Sequence, residues 1–268
     1  MKTKYKKIAL GVAAIAVCAV GISSTVAFLI TKTDEKINTF TFSSSAISAQ
    51  LLEPDWDGIK EYIEIDGESY PVYDYIDDDA DASTPMVPVF GYKNGDPRNP
   101  VTEVGSIDDT VKADSSKTYG IDEAKGMIPG KTAEKNPLVR NTCDEDEWVA
   151  LKLTFVYSGT KNKLSAADLA KVNDIITINY NTTDWELITD DSGMMVYYYN
   201  SKLAPGTDTS ELFSTVSVSY SATNEQIKAL EDIGGFSLRI QGFAAQTGDG
   251  MNTYDEFKAN SSIVTFEE

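Results

Sequence analysis

Residues 147 to 157 read Glu-Trp-Val-Ala-Leu-Lys-Leu-Thr-Phe-Val-Tyr. Val149, Leu151, Leu153, Phe155 and Tyr157 occupy alternate positions, with Lys152 and Thr154 between them. Successive side chains of a strand point to opposite faces, so the pattern predicts a strand with one apolar and one polar face. It recurs in 236–244, where Phe236, Leu238 and Ile240 oppose Ser237, Arg239 and Gln241. It recurs again in 212–220, where Leu212, Val216, Val218 and Tyr220 oppose Thr215, Ser217 and Ser219. Further strands are predicted at 37–51, 174–180, 184–189, 194–200 and 262–267. One-sided strands bounded by Gly, Pro, Asn and Asp build two packed antiparallel sheets, so the expected fold is an all-β sandwich with minor helices.

Three short helices are expected. Ser165 caps 166–173, Thr223 with Gln226 forms a capping box for 224–233 that Gly234-Gly235 ends, and a third covers 253–259. Residues 53–123 are rich in Asp, Gly, Pro and Ser and read as a long insertion or loop region. Within it, 61–75 suggests a hairpin turning at Asp66-Gly67.

The chain has 268 residues, of which 41% are hydrophobic, enough for a sizeable core. Its net charge is −19. Such a surface repels phosphate backbones and anionic lipid heads, which argues against nucleic acid as a partner. There is no histidine. That removes His-based triads, His-ligated zinc and the usual proton shuttle near neutral pH. The two cysteines are Cys18, inside an apolar run, and Cys143, so no disulfide framework is expected.

The N-terminus reads as an export signal. Lys2, Lys4, Lys6 and Lys7 form a positive region, residues 8–22 an apolar one, and 23–27 (SSTVA) a small-residue end. Thr25 and Ala27 sit where a signal peptidase reads its −3 and −1 positions, which places cleavage before Phe28. The alternative is an uncleaved anchor, because the run from Ile8 to Ile30 has no charge and is long enough to span a bilayer. A lipoprotein reading of Cys18 is disfavoured by Val17 before it. The expected organisation is a signal peptide at 1–27 and a single β-sandwich domain at 28–268.

Several stretches together resemble the TasA/camelysin family of exported biofilm-matrix proteins. The signal runs into GISSTVAFLITKTDEKINTFTFSSSAIS (21–48). Residues 128–155 (IPGKTAEKNPLVRNTCDEDEWVALKLTF) resemble the family's Pro-Gly turn followed by an alternating strand. Residues 197–219 (YYYNSKLAPGTDTSELFSTVSVS) carry a similar hallmark in Leu203, Pro205-Gly206, Thr209 and Leu212-Phe213, and 239–246 (RIQGFAAQ) fit the last core strand. Cys143 departs from the pattern, since the family often has glycine there. The resemblance leaves 53–123 mostly unmatched.

The resemblance implies a jelly-roll sandwich secreted by a Gram-positive cell, cut by a signal peptidase of the SipW type, and assembled head to tail into matrix fibres. It also implies other matrix or cell-wall components as partners. In the family, the segment after the cleavage site is donated to the next subunit. Here that segment begins at Phe28, Leu29 and Ile30, and a strand carrying Ile37, Phe40 and Phe42 follows. A donated strand satisfies an exposed edge through main-chain hydrogen bonds, and a head-to-tail contact propagates as a filament. The other reading of this segment is the domain's own first strand.

No catalytic chemistry is expected. A zincin has no ligands here, and 42 acids make some close carboxylate pair inevitable and therefore uninformative. Asp77-Asp78-Asp79-Ala80-Asp81 resembles the start of a calcium loop, but Ala82 and Pro88 stand where glycine and a bidentate glutamate belong. No cofactor or metal is assigned. Tyr197, Tyr198 and Tyr199 read as core or as a carbohydrate-stacking surface, and a monomeric surface adhesin or carbohydrate-binding module is the rival to a fibre subunit.

Overall fold

The structure is a computed structural model that describes residues 48–77, 84–248, 250–260 and 264. The chain enters through β1 (Ala49–Leu52) and α1 (Pro54–Asp57). Six short strands follow: β2 (Glu61–Ile65), β3 (Glu68–Val72), β4 (Asp74–Ile76), β5 (Val87–Val89), β6 (Tyr92–Lys93) and β7 (Val111–Lys112). After α2 (Gly120–Glu123) come β8 (Thr132–Glu134), β9 (Leu138–Asn141) and the longest uninterrupted stretch of buried chain, β10 (Glu147–Tyr157). The rest is α3 (Ala166–Ile175), β11 (Ile176–Tyr180), β12 (Trp185–Asp191), β13 (Met194–Tyr199), β14 (Phe213–Val218), α4 (Asn224–Glu231), β15 (Phe236–Gln246) and α5 (Tyr254–Ala259). The fold is all-β with minor helices, and every strand pair among the described residues is antiparallel.

Two sheets carry the core. One has the order β12-β13-β10-β15, the other β11-β14-β8. The alternation read from 147–157 puts Val149, Leu151, Leu153 and Phe155 on the face that meets Phe213 and Val216 of the smaller sheet, with Leu51 of β1 and Val139 of β9 closing the same cluster. This is the two-sheet packing that the pattern implies. Among the described residues the strands form open sheets, and the jelly-roll order implied by the resemblance is not traced.

The second face of β10 departs from expectation. It is buried as well, with Lys152 and Thr154 only 8% and 7% exposed. On this side Trp148, Ala150, Tyr198 and Phe243 pack under Phe257 of α5 and Met251. Phe257 stacks on Trp148 at 5.4 Å and on Tyr198 at 4.6 Å between ring centroids, and the Trp148 indole donates to the Met251 carbonyl at 2.7 Å. The larger sheet is therefore a middle layer, not an outer one.

Residues 53–123 are also more ordered than their composition suggests. The hairpin turns at Asp66-Gly67 as expected, both with positive φ, and pairs Glu61↔Val72 through Ile65↔Glu68. Two further ladders, β4–β5 and β6–β7, are too short to leave a periodic signature. Val72, Val89, Phe90, Tyr92 and Val101 in this part are buried. Gln50 ties this part to β1 by bonding both backbone groups of Tyr62, much as a neighbouring strand would. Lys135 ties α1 to β8: its ammonium sits between the Glu53 carboxylate at 2.6 Å and the Trp56 ring at 4.4 Å. Asp57, on the same helix, is desolvated and its carboxyl is pushed up to about 6.

The helix caps follow the sequence. Ser165 accepts the Asp168 amide at 3.1 Å, and Thr223 and Gln226 exchange the two bonds of a capping box at 2.8 and 3.3 Å. Gly234 and Gly235 take positive φ beyond α4. One strand end was overextended: β14 stops at Val218, and Tyr220 lies in the following turn, 90% exposed, over the Pro129-Gly130 turn.

Candidate assembly site

The processing residues Thr25, Ala27 and Phe28 lie outside the described residues, as do the donor-strand residues Leu29, Ile30, Ile37, Phe40 and Phe42. So do the acidic run from Asp78 onward and all but Val264 of the strand expected at 262–267. What the structure places is Ser48, the first described residue, and the strand edges near it.

The root is built by two turns of chain. β1 pairs with β9 so that Ala49 faces Asn141, and the Thr142 amide donates to the Ser48 carbonyl at 2.8 Å. The Asn141 side chain then folds the following loop. It accepts from the Cys143 amide at 2.8 Å and donates to the carbonyls of Glu145 and Leu203 at 2.8 and 2.9 Å. That loop delivers Glu147, the first residue of β10, whose backbone exchanges two hydrogen bonds with Leu203.

The Glu147 side chain is fully buried at this junction. Its Oε1 accepts from the Ser48 amide at 3.2 Å and from the Cys143 thiol at 3.1 Å, while Oε2 has no hydrogen-bond partner. Loss of water with so little in return pushes the carboxyl up to about 7. The same desolvation, with Glu147 beside it, pushes the Cys143 thiol up to about 11. Cysteine was singled out in the sequence; Glu147, one of 42 acids, carried no signal that would have separated it from the rest.

Glu147 lies in register with Gln246, so the root of the N-terminal segment adjoins one end of β15. Among the described residues the two main sheets end at four strands: β12, β15, β11 and β8. Three of these carry features that discourage further pairing. β12 holds Glu186, Asp190 and Asp191 and a register shift between Leu187 and Thr189. β11 is interrupted near Asn179, whose side chain takes the amides of Ser214 and Thr215. β8 has three residues. β15 has eleven, no proline, no bulge against β10, and Arg239 as its one charge.

Among the described residues no group of three His, Cys, Asp or Glu is placed to hold a metal ion, and no helix is long and apolar enough to cross a membrane. Tyr197 and Tyr198 are buried on opposite faces of their sheet, and Tyr199 packs beside Trp185, so the triplet offers no stacking platform. No protein-family model, curated protein or solved structure matches the chain.

Proposed function

We propose that this chain is a secreted structural subunit of extracellular matrix fibres, joined head to tail through the segment that follows its export signal. The observation that carries the reading is the contrast among the sheet edges. Natural β-proteins blunt long edges, because an unblunted one recruits another strand. β12, β11 and β8 are blunted by charge, bulge or brevity, and the sequence of β15 carries none of these features.

The position of the N-terminal root supports the same reading. Residues 28–47 depart from Ser48 beside one end of β15. Within this segment Phe40 and Phe42 alternate with Thr39, Thr41 and Ser43, as a strand laid on such an edge requires, while Ile37 falls on the opposite face. Pairing with the next copy gives a heterologous contact that repeats without closing. While Ala27 remains joined to the signal, Phe28 to Ile30 are tied to the membrane side, which couples assembly to cleavage by a peptidase of the SipW type. The resemblance to TasA/camelysin proteins points the same way, as do the acidic surface and the absence of histidine.

The test is electron microscopy of the protein beginning at Phe28 beside a version beginning at Lys36. Filaments from the first and none from a still-folded second are expected. A protein that stays monomeric across pH, salt and calcium would overturn the reading. One feature favours a monomeric surface adhesin instead: Tyr220, beside the Pro129-Gly130 turn, is 90% open to solvent. In that case glycan or cell-wall binding would persist without filaments and fall on Tyr220→Ala.

A further inference from the structure

Separate segments of the 53–123 region bring three phenols around one carboxylate. Asp57 ends α1, and Gly58 follows it with a φ of +83°. Tyr62 lies on β2, where Gln50 bonds both of its backbone groups. Tyr73 stands between β3 and β4, its amide held by the Val89 carbonyl at 2.8 Å. Tyr119 is the N-cap of α2, and its ring approaches Gly58 so closely that a Cβ there would meet it at 2.7 Å. All four side chains are half-buried. Burial pushes the three phenols up, and the charge of Asp57 adds to that at each of them.

The polar atoms of this cluster are under-used. Asp57 accepts one hydrogen bond, from the Ile59 amide at 2.9 Å, and among the described residues no cation pairs with it. Among the same residues the hydroxyls of Tyr62, Tyr73 and Tyr119 have no hydrogen-bond partner. The cations of the region are engaged with other acids: Lys60 with Asp74 at 2.6 Å, Lys135 with Glu53 at 2.6 Å, and Lys117 with Asp114 at 4.0 Å. Lys135 draws the Asp57 carboxyl down less than Glu53, beside it, pushes it up. A desolvated carboxylate without a counterion is therefore set among phenols whose oxygens are free to accept and whose faces attract cations.

That chemistry selects its ligand. The carboxylate repels an anion. A sugar would engage the hydroxyls and leave the charge of Asp57 unanswered. A quaternary ammonium would answer the charge, yet it has no N–H for the phenol oxygens. A primary ammonium does both, since it brings one positive charge and three donors. We propose that Asp57, Tyr62, Tyr73 and Tyr119 form a binding site for a primary alkylammonium group, such as the lysine side chain of a partner. The site lies apart from β15 and does not depend on fibre assembly.

Saturation-transfer NMR tests it, because the signal is read on the free probe whether the protein is monomeric or filamentous. The probe is the methylamide of Nα-acetyl-lysine. Saturable transfer to its side-chain methylenes is expected, and none to the same compound acetylated at Nε. Asp57→Asn keeps an oxygen for the Ile59 amide, so the fold is retained, and should weaken binding at least about tenfold. Tyr119→Phe should weaken it about fivefold. Asp66→Asn, at the open hairpin turn, should leave it unchanged. No saturable transfer would overturn the proposal. Equal losses in Asp57→Asn and Asp66→Asn would do so too, by reducing the effect to diffuse surface charge. Tighter binding of methyl glucoside than of the lysine probe would make a sugar the occupant and overturn it as well.

Discussion

The Cys143 thiol donates to the Glu147 carboxylate at 3.1 Å across one tight loop, and the amide of Ser48 reaches the same oxygen at 3.2 Å. Two chain segments 99 residues apart are thereby joined by one desolvated acid. Four predictions begin from this junction and from the packing around it.

Glu147 should make stability fall as pH rises. Burial pushes its carboxyl up to about 7 in the folded protein, from the ordinary glutamate value of 4.5 in the unfolded chain. Between those values the folded state holds the extra proton, so raising the pH favours unfolding, and the loss levels off above about 7. The full difference is on the order of 3 kcal/mol. Glu147→Gln keeps an oxygen for the Ser48 amide and should flatten the profile, leaving the variant more stable than the parent at pH 8. Urea unfolding from pH 4.5 to 8 checks this. Parallel profiles for the two proteins would refute it.

Cys143 should be a poor nucleophile in the folded protein. Its thiol is pushed up to about 11, and only the thiolate attacks. Alkylation at pH 8 is expected to run at least about tenfold slower on the native protein than on the unfolded chain. Glu147→Gln should narrow that gap by removing the neighbouring negative charge. Mass spectrometry of iodoacetamide-treated samples provides the rates, and equal native and unfolded rates would contradict the geometry.

The Lys135–Glu53 pair should respond asymmetrically to mutation. Both side chains are nearly closed off from water, at 7% and 12% exposure, and Trp56 lies under the ammonium. Removing one partner leaves a buried charge without its counterion, which costs about 3–5 kcal/mol. Lys135→Met should show that loss in chemical denaturation. Adding Glu53→Met should recover a large part of it, whereas additive losses would mean that the two charges do not depend on each other.

Gly120 should tolerate no side chain. A Cβ there would lie 1.6 Å from the Glu134 carbonyl oxygen and 3.0 Å from the Trp56 ring, and neither backbone can retreat without breaking the α2–β8 contact. Gly120→Ala is expected to cost about 3 kcal/mol or more and to appear as a loss of soluble protein. Gly67→Ala, at an open turn with nothing within 4 Å, serves as the comparison: its φ of +81° makes the cost purely conformational and smaller.

What the sequence disclosed and what it withheld follow from the range of each signal. Alternation along β10 and β15 is local, and it placed Val149 through Phe155 on the core side correctly. The same alternation made Lys152 and Thr154 look solvent-facing. What covers that side of the sheet includes Met251 and Phe257, about a hundred residues away, and no window along β10 contains them. Caps at Ser165 and Thr223 are contained within four residues and were legible for that reason. The ladders β4–β5 and β6–β7, of three and two residue pairs, are shorter than any period that could reveal them. Of the candidate site, the sequence marked Cys143 and the N-terminal segment. The burial that sets Glu147 apart exists only after β1, β9 and β10 have met.

The order in which the chain becomes available has its own consequence. β10 pairs on one side with β13 and on the other with β15, which ends at Gln246, while the core beneath it already needs Leu51. A polypeptide emerging from its N-terminus cannot complete this sheet until β15 has been synthesised, because that closing contact is distant in sequence and slow to form. Under the proposed export, that delay would keep the larger sheet incomplete until β15 has been made.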